Sequence, residues 1–267
     1  MKTYITKVGF ISLFQILSFA AMMQASSLPS NGPEVTKSAE LTFAENKCQI
    51  KDFAGKTNKK ILFFAQADNT KYLFRKDGIS LQINKPELTV ETNSTTRNIE
   101  RKNTTQKVEF YWEGINKDAD IYGAEEVNAK VMKHINAQNA KDCDIKNFRK
   151  LYYTEIYPGV DLRYYDRDNR LKYDFMVHPG FNYSDIKMRI EGVNELSINS
   201  NGQLIMKTDS GYIMEDAPLV LQDGKPLVAK WIINEKTVSL EIKNHDSQKE
   251  LCIQASLLYQ GSDDFKM

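Results

Sequence analysis

The chain alternates apolar and polar residues over short stretches divided by turn formers, and this period of two predicts strands. ILFFAQA at 61–67 is a short apolar run. KYLFRKDGISLQI at 71–83 reads as two short strands about an Asp77-Gly78 turn. KVEFYWEGI at 107–115 alternates cleanly, with Val108, Phe110 and Trp112 on one face and Glu109, Tyr111 and Glu113 on the other. Residues 84–107 between them are polar and read as a long exposed loop or a frayed hairpin. In AEEVNAKVMKHI at 124–135, Val127, Val131 and Ile135 recur every four residues, which fits a helix.

The second half is strand and turn throughout. VDLRYY alternates through Val160, Leu162 and Tyr164, and RLKYDFMV through Leu171, Tyr173, Phe175 and Val177. Seven more short runs follow, from DIKMRI to TVSLEI, divided by Gly192, Asn201-Gly202, Ser210-Gly211, Asp223-Gly224 and Asn234-Glu235. Short strands with closely spaced turns predict an all-β fold, an antiparallel β-sandwich or barrel-like sheet, with at most one short helix near 124–135. No long helix alternates with the strands, which argues against an α/β fold.

The N-terminus has a different pattern. Lys2 and Lys7 precede an apolar run from Val8 to Ala21, and small residues follow at Ala25 and Ser26. This reads as a secretory signal peptide, residues 1–25, cut after Ala25. The run is short for a membrane span, so an uncleaved anchor is the lesser alternative. Residues 26–42 read as a flexible leader, 43–260 as a β-rich domain and 261–267 as a tail. A break into two subdomains would fall near 84–107 or 118–150. The expected location is secreted, periplasmic or cell-surface, without a membrane span after cleavage, and the expected state is a monomer. The 267 residues carry 36 basic and 35 acidic side chains, a net charge of +1 that gives no reason to expect nucleic acid as a partner. Cys48, Cys143 and Cys252 are far apart and form no CxxC pair, against zinc or thioredoxin-like chemistry. They read as three small buried side chains or as one disulfide and a spare thiol.

Several longer segments carry a family resemblance. FAENKCQI at 43–50 resembles the signature F-I-E-N-K-G-Q, with Cys48 where the family has Gly. LYYTEIYPGVDLRYYDRDNRLKYDFMVHPG at 151–180 resembles its Y-P-G-I-D-L-x-Y-Y and L-x-Y-D-F-x-V-x-P-G core. Residues 186–222 resemble its continuation through G-x-L to P-x-x-x-Q. These segments resemble a bacterial domain of unknown function (DUF7948-like) found at the N-terminus of exported SBBP β-propeller-repeat and PKD-type proteins of Bacteroidetes. The resemblance implies an exported β-rich fold and supplies no reaction. The family's closing L-x-I-D-P strand stands here as Leu251, Cys252, Ile253, Gln254 and Ala255, and the chain ends at Met267 where members continue into repeats, so it reads as a stand-alone domain.

No catalytic motif emerges: GxSxG, HExxH and P-loop patterns are absent, and His134, His178 and His245 follow no ligand spacing. A Cys143–His178 thiol pair has no support in spacing. Asp166, Asp168 and Asn169 resemble the start of a calcium loop but lack its Gly and distal Glu, and a polar turn explains them better, as it does Asp142 and Asp144. Pro158-Gly159 favours a tight turn. Asp161 and Asp174 fall on the face opposite the apolar residues of their strands and would meet solvent, turn amides, Arg163 or Arg170; the sharper alternative is a carboxylate pair for glycoside hydrolysis. Tyr152, Tyr153, Tyr157, Tyr164 and Tyr165 are core residues or, if exposed, rings that grip a glycan or a protein. The expected function is therefore a non-enzymatic binding or structural module of the cell envelope, needing no cofactor or metal. Its partner would be an envelope protein or glycan, and the binding residues would be Tyr157, Asp161, Tyr164, Tyr165 and Asp174. The alternatives are a secreted glycoside hydrolase and a pure structural spacer.

Overall fold

The computed structural model describes residues 40–261 except 68, 94, 95, 128–144 and 169. The expected signal peptide, nearly all of the leader, the tail, His134, Asp142, Cys143, Asp144 and Asn169 lie outside the described residues. Those described build eighteen strands and a 3-10 turn at Tyr183–Asp185. In chain order the first nine strands are β1 (Phe43–Glu45), β2 (Ile61–Ala67), β3 (Thr70–Arg75), β4 (Gly78–Asn93), β5 (Thr96–Trp112), β6 (Asp120–Val127), β7 (Asn147–Tyr157), β8 (Val160–Arg167) and β9 (Arg170–Val177). The second nine are β10 (Met188–Glu191), β11 (Glu195–Ile198), β12 (Leu204–Thr208), β13 (Gly211–Glu215), β14 (Leu219–Gln222), β15 (Lys225–Leu227), β16 (Ala229–Asn234), β17 (Thr237–Ile242) and β18 (Leu251–Gly261).

Every ladder is antiparallel. Neighbours run β16–β17–β10–β5–β4–β3–β2–β1–β7–β8–β9–β18. Beyond β9, β18 pairs with β14 through its first half and with β13 through its second, and β12 and β11 follow. β11 comes against β16, so the sheet is nearly closed and barrel-like. The all-β, antiparallel expectation agrees. The choice between sandwich and barrel rests on long-range pairs such as Ile190 with Phe110, Phe43 with Phe148 and Ile253 with Phe175, which a period of two does not encode.

One alternative is decided and one expectation corrected. Of the loop and the hairpin read for residues 84–107, the hairpin holds: residues 84–93 and 96–107 are the arms of β4 and β5, paired from Gly78 with Tyr111 out to Asn93 with Thr96. Backbone pairing needs no apolar alternation once a strongly patterned base fixes the register. The helix read at 124–135 does not begin where its spacing placed it, because Ala124–Val127 belong to β6 and pair with Lys150–Asn147 of β7. Residues 128–135 of that stretch lie outside the described residues.

The turns follow their sequences. Asp223 and Gly224 take φ of 51° and 72° between β14 and β15, the left-handed pair that a two-residue type I′ hairpin requires. Gly192 ends β10 at φ 81°, and a Cβ there would stand 2.2 Å from the Lys107 carbonyl oxygen of β5. The β10–β5 ladder therefore needs glycine at this position for both conformation and space. Gly192→Ala is expected to cost roughly 2–4 kcal/mol, combining left-handed strain with displacement of a paired strand. Chemical denaturation would measure it, and a loss under about 1 kcal/mol would show that the ladder yields easily.

Inside the sheet lies one large apolar core. Its centre is aromatic: Phe43, Phe74, Tyr164, Tyr153, Tyr173, Trp112 and Phe175 meet mostly edge to face, with centroids 5.1–5.9 Å apart. Such contacts add to what area burial alone contributes. The Trp112 indole N–H donates to the Tyr164 hydroxyl at 3.1 Å, and Tyr173 donates to the Glu215 carboxylate. Glu215 is wholly buried, and its other oxygen has no hydrogen-bond partner among the described residues. Burial pushes its pKa up to about 8, although the Tyr173 hydroxyl works the other way.

Candidate functional site

The segment between β1 and β2 builds the wall of a site on the outside of the sheet. Asn46 donates through Nδ2 to the carbonyls of Asn58 and Ile61, and its Oδ1 accepts from the Ile50 amide. Gln49 accepts from the amides of Lys47 and Cys48 and donates to the Glu45 carbonyl. Asp52 then accepts from the Ala54 and Lys56 amides, turning the chain back so that Lys51 bridges Thr57. One amide side chain spanning several backbone groups is an inexpensive way to shape a loop. A second, small core of Ala44, Ile61, Phe64 and Leu73, with Ile50 and Ile145 against it, holds this loop to the outer face.

Between this loop, strands β3–β5 and the segment from Ile115 to Ile121 lies an open groove of about 1120 Å³. Its floor includes Leu73, Arg75, Ser80, Gln82, Glu109 and Tyr111. Arg75 is nearly buried there. It bonds to Glu109 at 2.5 Å and to Asp77 at 3.0 Å, and it lies 4.8 Å from the centre of the Tyr111 ring. Burial opposes the Arg75 charge, but the Glu109 and Asp77 carboxylates outweigh it and hold its pKa above the usual arginine value. Arg189 covers the same ring at 4.5 Å, so Tyr111 is held between two guanidinium groups. Ser80 is 1% exposed, and its hydroxyl has no hydrogen-bond partner among the described residues. At the rim Phe53 is fully exposed.

Seven basic residues line the groove against three acidic ones. Arg75 and Lys107 are bound to carboxylates. Lys51, Lys59, Lys60, Lys76 and Lys117 are exposed and form no ion pair among the described residues. The groove is thus positive in a chain whose total charge is nearly balanced, and a lined concavity concentrates that field.

The residues expected from the sequence to bind a ligand lie elsewhere. Tyr157 and Tyr164 are each 1% exposed and belong to the core. Asp174 is 0% exposed, accepting from Arg163 and, at 3.0 Å, from Tyr165. Of the partners read for it, Arg163 is the one it takes. Tyr165 is half-buried, with the Arg163 guanidinium 5.2 Å from its ring centre, and burial lifts its pKa to about 12. Asp161 accepts from the Glu155 amide at 2.7 Å, where β7 bulges with Glu155 at φ 54°, and lies 3.0 Å from Nε2 of His178. Asp161 and Asp174 stand diagonally on one face of the β8–β9 ladder, each engaged by its neighbours, and neither lines the groove. Asp166 lies near the end of β8, paired with Leu171, and Asp168 sits in the turn that follows. Cys48 is disulfide-bonded and Cys252 is a free thiol, while Cys143 lies outside the described residues.

Sequence reasoning missed the groove because its lysines are spread from position 51 to 117 and cancel in the total charge. The one available signal was the FAENKCQ segment, whose Asn46 and Gln49 shape the wall. No curated protein and no solved structure matches the chain. A family model, described as a domain of unknown function (DUF7948), matches residues 43–254. That stretch holds both the loop tied by Asn46 and Gln49 and the Y-P-G-V-D turn of β7 and β8, and the chain belongs to this family.

Proposed function

We propose that this chain is an exported, non-catalytic binding domain of the bacterial cell envelope, and that its ligand, protein or glycan, lies in the groove between the β1–β2 loop and strands β3–β5. The carrying observation is the groove itself: open, unevenly charged, and floored by a buried serine hydroxyl with no partner. A concavity with a few convergent polar groups is the usual form of a ligand site. Export rests on the Lys2–Ala25 pattern, and the mature N-terminus is expected at Ser26.

The test is saturable retention of separated envelope protein and polysaccharide fractions by the immobilised full chain, beside Lys59→Glu/Lys60→Glu. Both lysines are exposed, so the variant should keep its unfolding midpoint. Binding of one fraction that the variant loses supports the reading. No binding leaves a structural spacer, and binding the variant retains removes the groove as the site and places the ligand elsewhere on the domain.

A further inference from the structure

We infer that the groove takes an acidic polysaccharide, a sugar chain bearing repeated carboxylate or sulfate groups; this rests on the binding reading above. Three observations select that class. First, the cations without an ion pair among the described residues are lysines on separate segments: Lys51, Lys59 and Lys60 on the β1–β2 loop, Lys76 after β3, and Lys117 between β5 and β6. Point charges spread along an open trough suit a linear polyanion, whereas a single phosphate is better held by a guanidinium fork or a helix N-terminus. The groove's one arginine, Arg75, is already committed to Glu109 and Asp77.

Second, the floor is the face of a sheet and not its edge. β3 is paired on both sides by β2 and β4, β4 by β3 and β5, and β5 by β4 and β10. An extended acidic peptide would gain its main-chain hydrogen bonds by strand addition, and the stretches that floor the groove, Leu73–Arg75, Ser80–Gln82 and Glu109–Tyr111, are paired on both sides and offer no edge for it. Third, the groove joins a ring face to hydroxyl chemistry. Phe53 stands fully exposed at the rim, where no packing role holds it, whereas the Tyr111 ring on the floor is already covered by Arg75 and Arg189. Flat apolar faces of sugar rings stack on an open ring such as that of Phe53. The buried, unpartnered Ser80 hydroxyl can donate to or accept from a sugar hydroxyl or an acid group.

Calorimetric titration of the purified full chain with polygalacturonate, its fully methyl-esterified form, dextran sulfate, neutral dextran and polyglutamate tests this. Expected is salt-sensitive binding of polygalacturonate or dextran sulfate. The uncharged counterparts should be bound about tenfold or more weakly, because screening and loss of charge remove the same attraction. Whichever acidic glycan binds tells carboxylate from sulfate. Lys59→Glu/Lys60→Glu should weaken that binding about tenfold or more, and Phe53→Ala severalfold. Lys225→Glu/Lys243→Glu, an equal charge change at exposed positions outside the groove, should leave it unaltered. Polyglutamate binding as tight as the acidic glycans would overturn the inference and leave the binding domain with an acidic peptide as ligand. Equal weakening by the two charge reversals would overturn it as a non-specific charge effect. No binding of any of the five, with envelope retention intact, would overturn it alone, whereas loss of both would overturn the binding reading too.

Discussion

Tyr164→Ala is expected to destabilise the protein by about 3–5 kcal/mol, the range for emptying a fully buried aromatic site. Its ring meets Phe74, Tyr153 and Tyr173 at 5.1–5.8 Å, so four strands lose a common contact. Its hydroxyl accepts the Trp112 indole N–H, and Tyr164→Phe should cost about 1–3 kcal/mol by leaving that buried donor unsatisfied. Tyr165→Ala, one residue on and half-buried, should cost less than Tyr164→Ala. Urea unfolding of the three variants checks the order. A Tyr164→Ala protein within about 1 kcal/mol of the parent would contradict the position of this ring at the centre of the core.

Stability should fall as pH rises from about 4.5 to about 8, and Glu215 should be the main cause. Its folded pKa is raised to about 8 from the 4.5 of an exposed glutamate. The folded state therefore binds the proton more tightly. The stability this confers is complete below about 4.5, is lost as pH rises through about 8, and amounts to roughly 4–5 kcal/mol at 1.36 kcal/mol per pH unit. Glu215→Gln keeps an acceptor for Tyr173 and removes the ionisation. The variant should be flatter across this window and more stable than the parent at pH 9. Denaturation at several pH values in both proteins isolates the effect from other titrating groups. Parallel profiles would show that Glu215 binds its proton equally well in the folded and unfolded chain, with no raised pKa inside the sheet.

The local fold was legible because alternation was strong. Val108, Phe110 and Trp112 point inward as their spacing demands, and the same rule places Tyr164 with Val160 and Leu162 while turning Tyr165 to the other face. Read strictly, that alternation already divided the tyrosine-rich segment into core and edge. The β4–β5 arms were only half legible, as a loop or a frayed hairpin, because their pairing follows from the apolar base of the hairpin, not from their own polar residues. The near closure was illegible because it depends on partners such as β10 and β5, distant in sequence. The groove depends on both. Lys59 and Lys117 share a site only once the β1–β2 loop is tied down and the sheet has brought its outer face beneath it.

The last strand has a consequence for how the chain acquires its shape. β18 holds β9 on one edge and both β14 and β13 on the other, so three separate pieces of sheet share a single strand as their joint. A chain emerging N-terminus first, from a ribosome or through a pore, leaves those edges bare until residues 251–261 arrive. Pairings across such sequence separations are slow, and bare edges invite association. The nascent domain is thus a clasp that stays open until its final segment is free, and a fragment ending before Leu251 would be prone to stick to its neighbours rather than fold.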